Sequence, residues 1–324
     1  MELIKVNNID NQIINKEEVI ISKGNFIEAN TKQVTLNHLK RECIVPFYSD
    51  NESIISHAEF IEATSEVVES SFPSEIVLQP NIRTSHVIKG RVPSAIGKSV
   101  KELLPDEKTI YYSRCAFMIE LPTLTENISK NSLSLTIGGV RSLSQENLYS
   151  KRNLEKFKVF IGFKNLVCTN LCISTDGLNT EIRVSSVEEL KDKIQQLISA
   201  FDKDRFLSDM VRMSRFQLDE LQFAHTIGKM RMYQHLNKEE KVGKLALAMN
   251  DNQINTVVKN YYQDPNFSRS ENRDVNLWSF YNLMTEANKS SYIDSNLDRN
   301  ASAYEFVNNL ANSLENRTEN WFLS

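Results

Sequence analysis

A chain of 324 residues with 40% apolar and 25% charged side chains has material for one large domain or two ordinary ones, and this composition excludes disorder along its whole length. Nine glycines are under half the usual rate of about 7%, which weighs against folds resting on glycine-rich phosphate loops. The net charge of −4 conceals a division: residues 1–70 carry 6 basic and 12 acidic side chains, residues 71–185 carry 15 and 10, and residues 186–324 carry 17 and 20. A polyanionic partner is therefore expected to meet the middle third.

The first 70 residues read as an acidic N-terminal extension, mobile or loosely docked. Within it, Ile54, Ala58, Ile61 and Val68 lie near helical spacing and predict an acidic amphipathic helix over 53–69. Phe72-Pro73 ends that helix. From about 75 to 185 the period becomes two. Cys115, Phe117, Ile119 and Leu121 alternate with Arg114, Ala116, Met118 and Glu120, and Leu133, Leu135 and Ile137 alternate with Ser132, Ser134 and Thr136. Gly138-Gly139 then predicts a bend or bulge. Phe157, Val159, Ile161 and Phe163 alternate with Lys156, Lys158, Phe160 and Gly162. Such alternation is the habit of antiparallel sheet with one dry and one wet face. The apolar run 166–173 predicts an inner strand, and Asp176-Gly177 a turn.

Beyond 185 the pattern becomes helical. Ser186 and Glu189 have capping-box spacing, and Leu190, Ile194, Leu197 and Ile198 share a face behind them. Further helices are predicted over 204–215, 217–235, 238–249, 251–263, 275–288 and 302–316, the last opened by Ser302 and Glu305. Strands followed by a block of helices make an α+β protein: a mostly antiparallel sheet over about 75–185, then helices over 186–316 packed against it.

The opening Met1-Glu2-Leu3-Ile4-Lys5 carries no signal-peptide core, no apolar stretch approaches the roughly 20 residues that span a bilayer, and Cys43, Cys115, Cys168 and Cys172 are too scattered for a disulfide framework. A cytoplasmic protein without membrane association is the expectation. Phosphate-loop, dinucleotide, nucleophile-elbow and zinc-helix motifs are all missing from the sequence. The histidines, His38, His57, His86, His225 and His235, stand singly, and the acidic pairs Glu188-Glu189, Asp219-Glu220 and Glu239-Glu240 fall at helix starts or on polar faces. No catalytic residues, metal ligands or cofactor are assigned. Cys168 and Cys172, with Cys115 on a neighbouring strand, form at most a weak thiol cluster and read better as small buried side chains.

One pattern points to binding. On the strand over 156–164, Lys156, Lys158, Phe160 and Lys164 share the side opposite the apolar one, with Arg114, Arg141, Lys151 and Arg152 close in sequence. Basic side chains interleaved with an aromatic suit single-stranded nucleic acid, because ammonium groups neutralise phosphates while a ring stacks on a base. A solvated strand face, its lysines guarding against edge pairing, is the competing reading. In the segment 288–294, Lys289 near a helix C-terminus reads as a dipole-compensating cap.

Several strings together carry a resemblance: Tyr111-Tyr112-Ser113-Arg114-Cys115-Ala116-Phe117, Leu135-Thr136-Ile137-Gly138-Gly139-Val140-Arg141, the run from Phe157 through Lys164-Asn165 to Cys172, Thr175-Asp176-Gly177, Asn276-Leu277-Trp278-Ser279-Phe280-Tyr281-Asn282-Leu283-Met284, and Ala287-Asn288-Lys289-Ser290-Ser291-Tyr292-Ile293-Asp294. Over roughly 75–324 the chain resembles a family of Bacteroidetes proteins catalogued as a domain of unknown function, itself similar to phage/plasmid-like proteins of mobile elements. That resemblance implies a mobile-element setting and no particular catalytic residues. Three readings follow: a mobile-element protein binding single-stranded nucleic acid on a basic sheet face; a protein-interaction module, such as an inhibitor of host defence whose acidic surface mimics DNA; and an enzyme of unfamiliar type, such as a nuclease.

Overall fold

The computed structural model describes residues 3–5, 20–22, 25–43, 54–90, 92–95, 97–107, 110–141 and 154–324. In chain order, β1 (Leu3–Lys5) pairs with β2 (Ile20–Ser22), and β3 (Thr31–Val34) leads into α1 (Leu36–Glu42) and α2 (His57–Ser71). Strands β4 (Asn81–Ser85), β5 (Ile88–Gly90), β6 (Ile110–Tyr112), β7 (Cys115–Ile128), β8 (Asn131–Arg141), β9 (Glu155–Asn165), β10 (Leu171–Cys172) and β11 (Leu178–Val184) follow. The helical block comprises α3 (Val187–Ala200), α4 (Lys203–Arg215), α5 (Glu220–His235), α6 (Asp251–Gln263), α7 (Leu277–Asn288) and α8 (Ile293–Asn316), with the short pair β12 (Gln217–Leu218) and β13 (Val275–Asn276) between them. The expected α+β architecture is the one that forms.

Seven strands make the main sheet in the order β10-β9-β8-β7-β4-β3, with β11 also on β9, and every neighbouring pair is antiparallel. Its odd-numbered residues Phe117, Ile119, Leu135, Ile137, Phe157, Val159, Ile161 and Phe163 enter one core together with side chains of α2, α3, α4 and α7. On this face, sheet and helical block thus share one apolar core.

That interior also claims part of the region expected to be a loosely docked extension. Helix α2 is closed at its start by a reciprocal cap between Ser56 and Glu59, and it buries Phe60, Ile61, Val67 and Val68. The Phe60 ring stands edge-on to Phe117, centroids 5.0 Å apart, and 4.7 Å from Phe157. The expected helix is real, but it is a wall of the core. Its acidic residues misled because they mark only the outer stripe of an amphipathic element.

Other expectations change similarly. Gly138 and Gly139 make no bend, since β8 keeps continuous register with β7 and β9 through them. Glycine is needed there for room: a Cβ at Gly139 would lie 2.5 Å from Phe60 Cζ and 2.7 Å from the Lys158 carbonyl oxygen. The run 166–173 is not an inner strand. Only Leu171 and Cys172 pair, at the sheet edge, and Leu171 and Cys172 are buried all the same. The predicted helix 238–249 does not form. Asn237 and Glu240 cap one turn reciprocally, Gly243 takes a positive φ of 76°, and the chain then runs extended to α6 with Leu247 and Met249 buried. Ser302 opens no helix, because α8 begins at Ile293; its hydroxyl instead accepts from the Ala248 N–H (3.1 Å) and donates to the Ala246 carbonyl (3.3 Å), fastening that extended segment.

Candidate functional site

The alternation on β9 is as expected: Lys156, Lys158, Phe160 and Lys164 point away from the main core. The side they point to is not wet. A second apolar cluster covers it, with Phe160, Ala116, Met118 and Val140 packed under Phe26, Ile27, Ile293 and Leu297. Phe160 and Lys164 are 1% exposed and Lys158 6%. Each of these lysines has a carboxylate partner: Lys158 Nζ lies 2.5 Å from Asp298 and 2.8 Å from the Asp294 carbonyl oxygen, Lys164 pairs with Glu120, and Lys156 reaches Glu181 at 2.8 Å. Arg114 lies 3.0 Å from Asp294 at the start of α8. Arg141 sits on the other side of the sheet, 1% exposed, paired with Glu155 and 4.8 Å above the Phe157 ring. Lys151 and Arg152 lie outside the described residues. The described residues expected to form one basic surface are therefore divided between two faces, and each of their basic groups is met by a carboxylate of the same chain. Period-two alternation reports which side a residue faces, not what is layered over that side.

The segment 288–294 is likewise interior. Lys289 is the C-cap residue of α7, as expected, and its side chain crosses to the turn after β9, donating to the Cys168 carbonyl at 2.5 Å and to Thr169 Oγ1 at 3.2 Å, with Glu286 at 2.8 Å. Asn165, Asn282, Asn288, Asn296 and Asn300 continue this buried hydrogen-bonded chain. The family-like strings in the sheet and at this corner are thus packing and polar wiring.

Nor do the thiols gather into a reactive centre. Burial pushes Cys115 and Cys172 well up, and Cys168 up to about 12, so all stay protonated and unsuited to nucleophilic or ligand chemistry. Among the described residues no group of three or more His, Cys, Asp and Glu side chains is placed to hold a metal ion, and no helix among them is long and apolar enough to cross a membrane.

The buried His57 has a strongly altered titration. Burial, then the nearby Arg141 charge, lower its pKa to about 4, against a weaker opposing effect of its 2.8 Å hydrogen bond to the Ser113 carbonyl. The folded protein keeps this ring neutral, whereas the unfolded chain takes up a proton near pH 6.5. Unfolding therefore binds a proton between these values, and stability is expected to fall as pH drops from 6.5 towards 4, by about 3 kcal/mol in total. Urea unfolding at pH 7 and pH 4.5 measures this, and His57→Gln should flatten the difference; an equal acid loss in that variant would place the titrating group elsewhere.

A basic surface does exist, in the helical block. Lys229 on α5 lies 4.6 Å, and Lys244 5.5 Å, from the centroid of the Trp321 ring, while Lys241 lies 5.0 Å from that of Tyr233. Phe322 joins the two rings, 4.9 Å from Trp321 and 5.8 Å from Tyr233. The chain end is held across α5 by the Thr226 hydroxyl donating to the Phe322 carbonyl and by a 2.7 Å bond between His225 and the Ser324 carbonyl. In contrast to the sheet lysines, Lys229, Lys241 and Lys244 make no ion pair with a carboxylate among the described residues. A cavity of about 480 Å³ opens beside them, bounded by Lys244, Asn309, Thr318, Glu319 and Trp321.

The sequence held a signal for this edge. Residues 229–244 contain Lys229, Arg231, Lys238, Lys241 and Lys244 against only Glu239 and Glu240, but summing charge over 186–324 hid the run. Trp321, some 80 residues further on, is brought in by tertiary folding alone.

A family model described as "Domain of unknown function, B. Theta Gene description (DUF3871)" matches residues 7–323, nearly the whole chain. No curated protein and no solved structure matches it.

Proposed function

We propose that this chain, which belongs to the DUF3871 family, is a cytoplasmic binding protein for single-stranded nucleic acid that uses the lysine–aromatic edge of α5 and the chain end, not its sheet. The observation that carries this reading is the set of three lysines resting on Trp321 and Tyr233 without carboxylate partners. Ammonium groups without a carboxylate are available to phosphates, and the half-buried Trp321 ring offers a surface to a base, whereas Tyr233 is buried beneath Lys241. The mobile-element setting implied by the likeness to phage/plasmid-like proteins belongs to this proposal and gives it a substrate, since such elements pass through single-stranded forms.

Binding of a fluorescent oligothymidylate to the full chain should weaken with salt, with a logarithmic slope of about −2 for three phosphates on a single strand. Trp321 emission should be quenched on binding, while Trp278 is buried and silent. Replacing Lys229, Lys241 and Lys244 together by Gln should abolish binding and leave the melting temperature unchanged. Absence of binding at low salt, or an unaltered slope in the triple variant, would refute the reading. A protein partner, including a host-defence target, is the second reading; it is favoured by the exposed apolar side chains Leu221, Met232 and Val242 in the same stretch. A stoichiometric complex that survives high salt would select it.

A further inference from the structure

Strand β7 carries an interruption. Leu121 pairs with Leu135 and Thr125 with Ser134, so Pro122, Thr123 and Leu124 stand opposite no residue of β8. Pro122 accounts for the break, because a proline within a sheet has no N–H to give the ladder. The excursion is secured rather than slack: Thr123 Oγ1 accepts from the Ile76 N–H at 3.2 Å, and the Glu120 carbonyl from the Leu78 N–H at 3.0 Å.

Where the three residues leave the ladder, a cavity of about 470 Å³ opens to the surface. Leu135 and Phe163, both members of the main core, form its floor, Phe72 and Leu124 its walls, and Glu126 and Lys203 stand at its mouth. That volume lies within the range of about 300–1,000 Å³ typical of small-molecule sites. Water is poorly served on a floor of leucine and phenylalanine, which offers it no hydrogen bonds. The mouth is different: Lys203 pairs with Glu126 at 2.9 Å, both partly exposed, and Lys203 is the first residue of α4, whose positive end it extends.

We propose that this cavity binds a medium-chain monocarboxylate, its tail on Leu135 and Phe163 and its carboxylate on Lys203, displacing Glu126. The apolar floor selects the tail, and the half-exposed cation selects a single negative head. This site is separate from the lysine–aromatic edge and does not depend on the nucleic-acid reading.

Calorimetric titration of the full chain with decanoate tests it, with decanol as the uncharged counterpart. The expected result is saturable one-to-one binding of decanoate. Lys203→Gln, a change at a solvated position, should weaken decanoate about fivefold and leave decanol unaffected. Leu124→Trp, which fills the cavity, should remove both, and its melting curve separates filling from misfolding. The triple lysine variant of the α5 edge should bind decanoate normally. The proposal is overturned by a lack of saturable heat, by unchanged binding in a folded Leu124→Trp protein, or by equal loss of decanoate and decanol in Lys203→Gln.

Discussion

Replacing Lys164 by Met is expected to lower the unfolding free energy by roughly 3–5 kcal/mol, because it leaves the Glu120 carboxylate buried without its cation. Both partners are shielded, at 2% and 6% side-chain exposure, and the only other side chain bound to Glu120 among the described residues is Ser134, whose hydroxyl donates to it at 2.6 Å. Such a pair gains little over an apolar pair of equal volume, since desolvating two charges offsets most of their attraction. The double replacement Lys164→Met with Glu120→Leu should therefore recover most of the loss. Denaturant unfolding of the two single variants and the double variant decides the matter; a double variant as weak as the sum of the singles would mean that the two side chains are not energetically coupled.

Phe60→Ala should cost about 3–5 kcal/mol, the second large effect. The ring meets Phe117 and Phe157 and lies over Gly139, so removing it opens a cavity where α2 meets the sheet centre. Gly139→Ala should itself destabilise by about 1–3 kcal/mol through overpacking. The two changes should not add, because the ring that the new methyl group would strike is gone in the Phe60→Ala background, leaving the Lys158 carbonyl as the remaining obstacle. Strict additivity in a double-mutant cycle would show that ring and glycine do not define one packing unit.

Local elements were legible in the sequence wherever a periodic stripe and its end signals agreed. The strands around Phe117, Ile137 and Val159, the helix after Ser186 and the α+β order all followed from period and capping. The errors arose where a residue's fate is decided by a distant segment. Nothing local to Lys158 announces that Asp298 will reach it, or that Ile293 and Phe26 will roof the surface around it. Helix 238–249 failed because Gly243 and the pull of Leu247 and Met249 into the core outweighed local propensity. The candidate site was half-visible: its lysines form a run in the sequence, but the ring they rest on arrives from the chain terminus.

The roof over the lysine-bearing side of the sheet has a temporal consequence. It joins residues 26–29 to residues 289–298, with the Glu28 and Ala29 amides both bonded to the Lys289 carbonyl. During synthesis the strands from β7 to β11 leave the ribosome long before α8 exists, so the nascent sheet must wait with Met118, Val140 and Phe160 bare. Contacts this far apart in sequence close slowly, and an uncovered apolar sheet is prone to clumping meanwhile. Yield in the cell should thus hinge on chaperone supply and on the completeness of the final 35 or so residues.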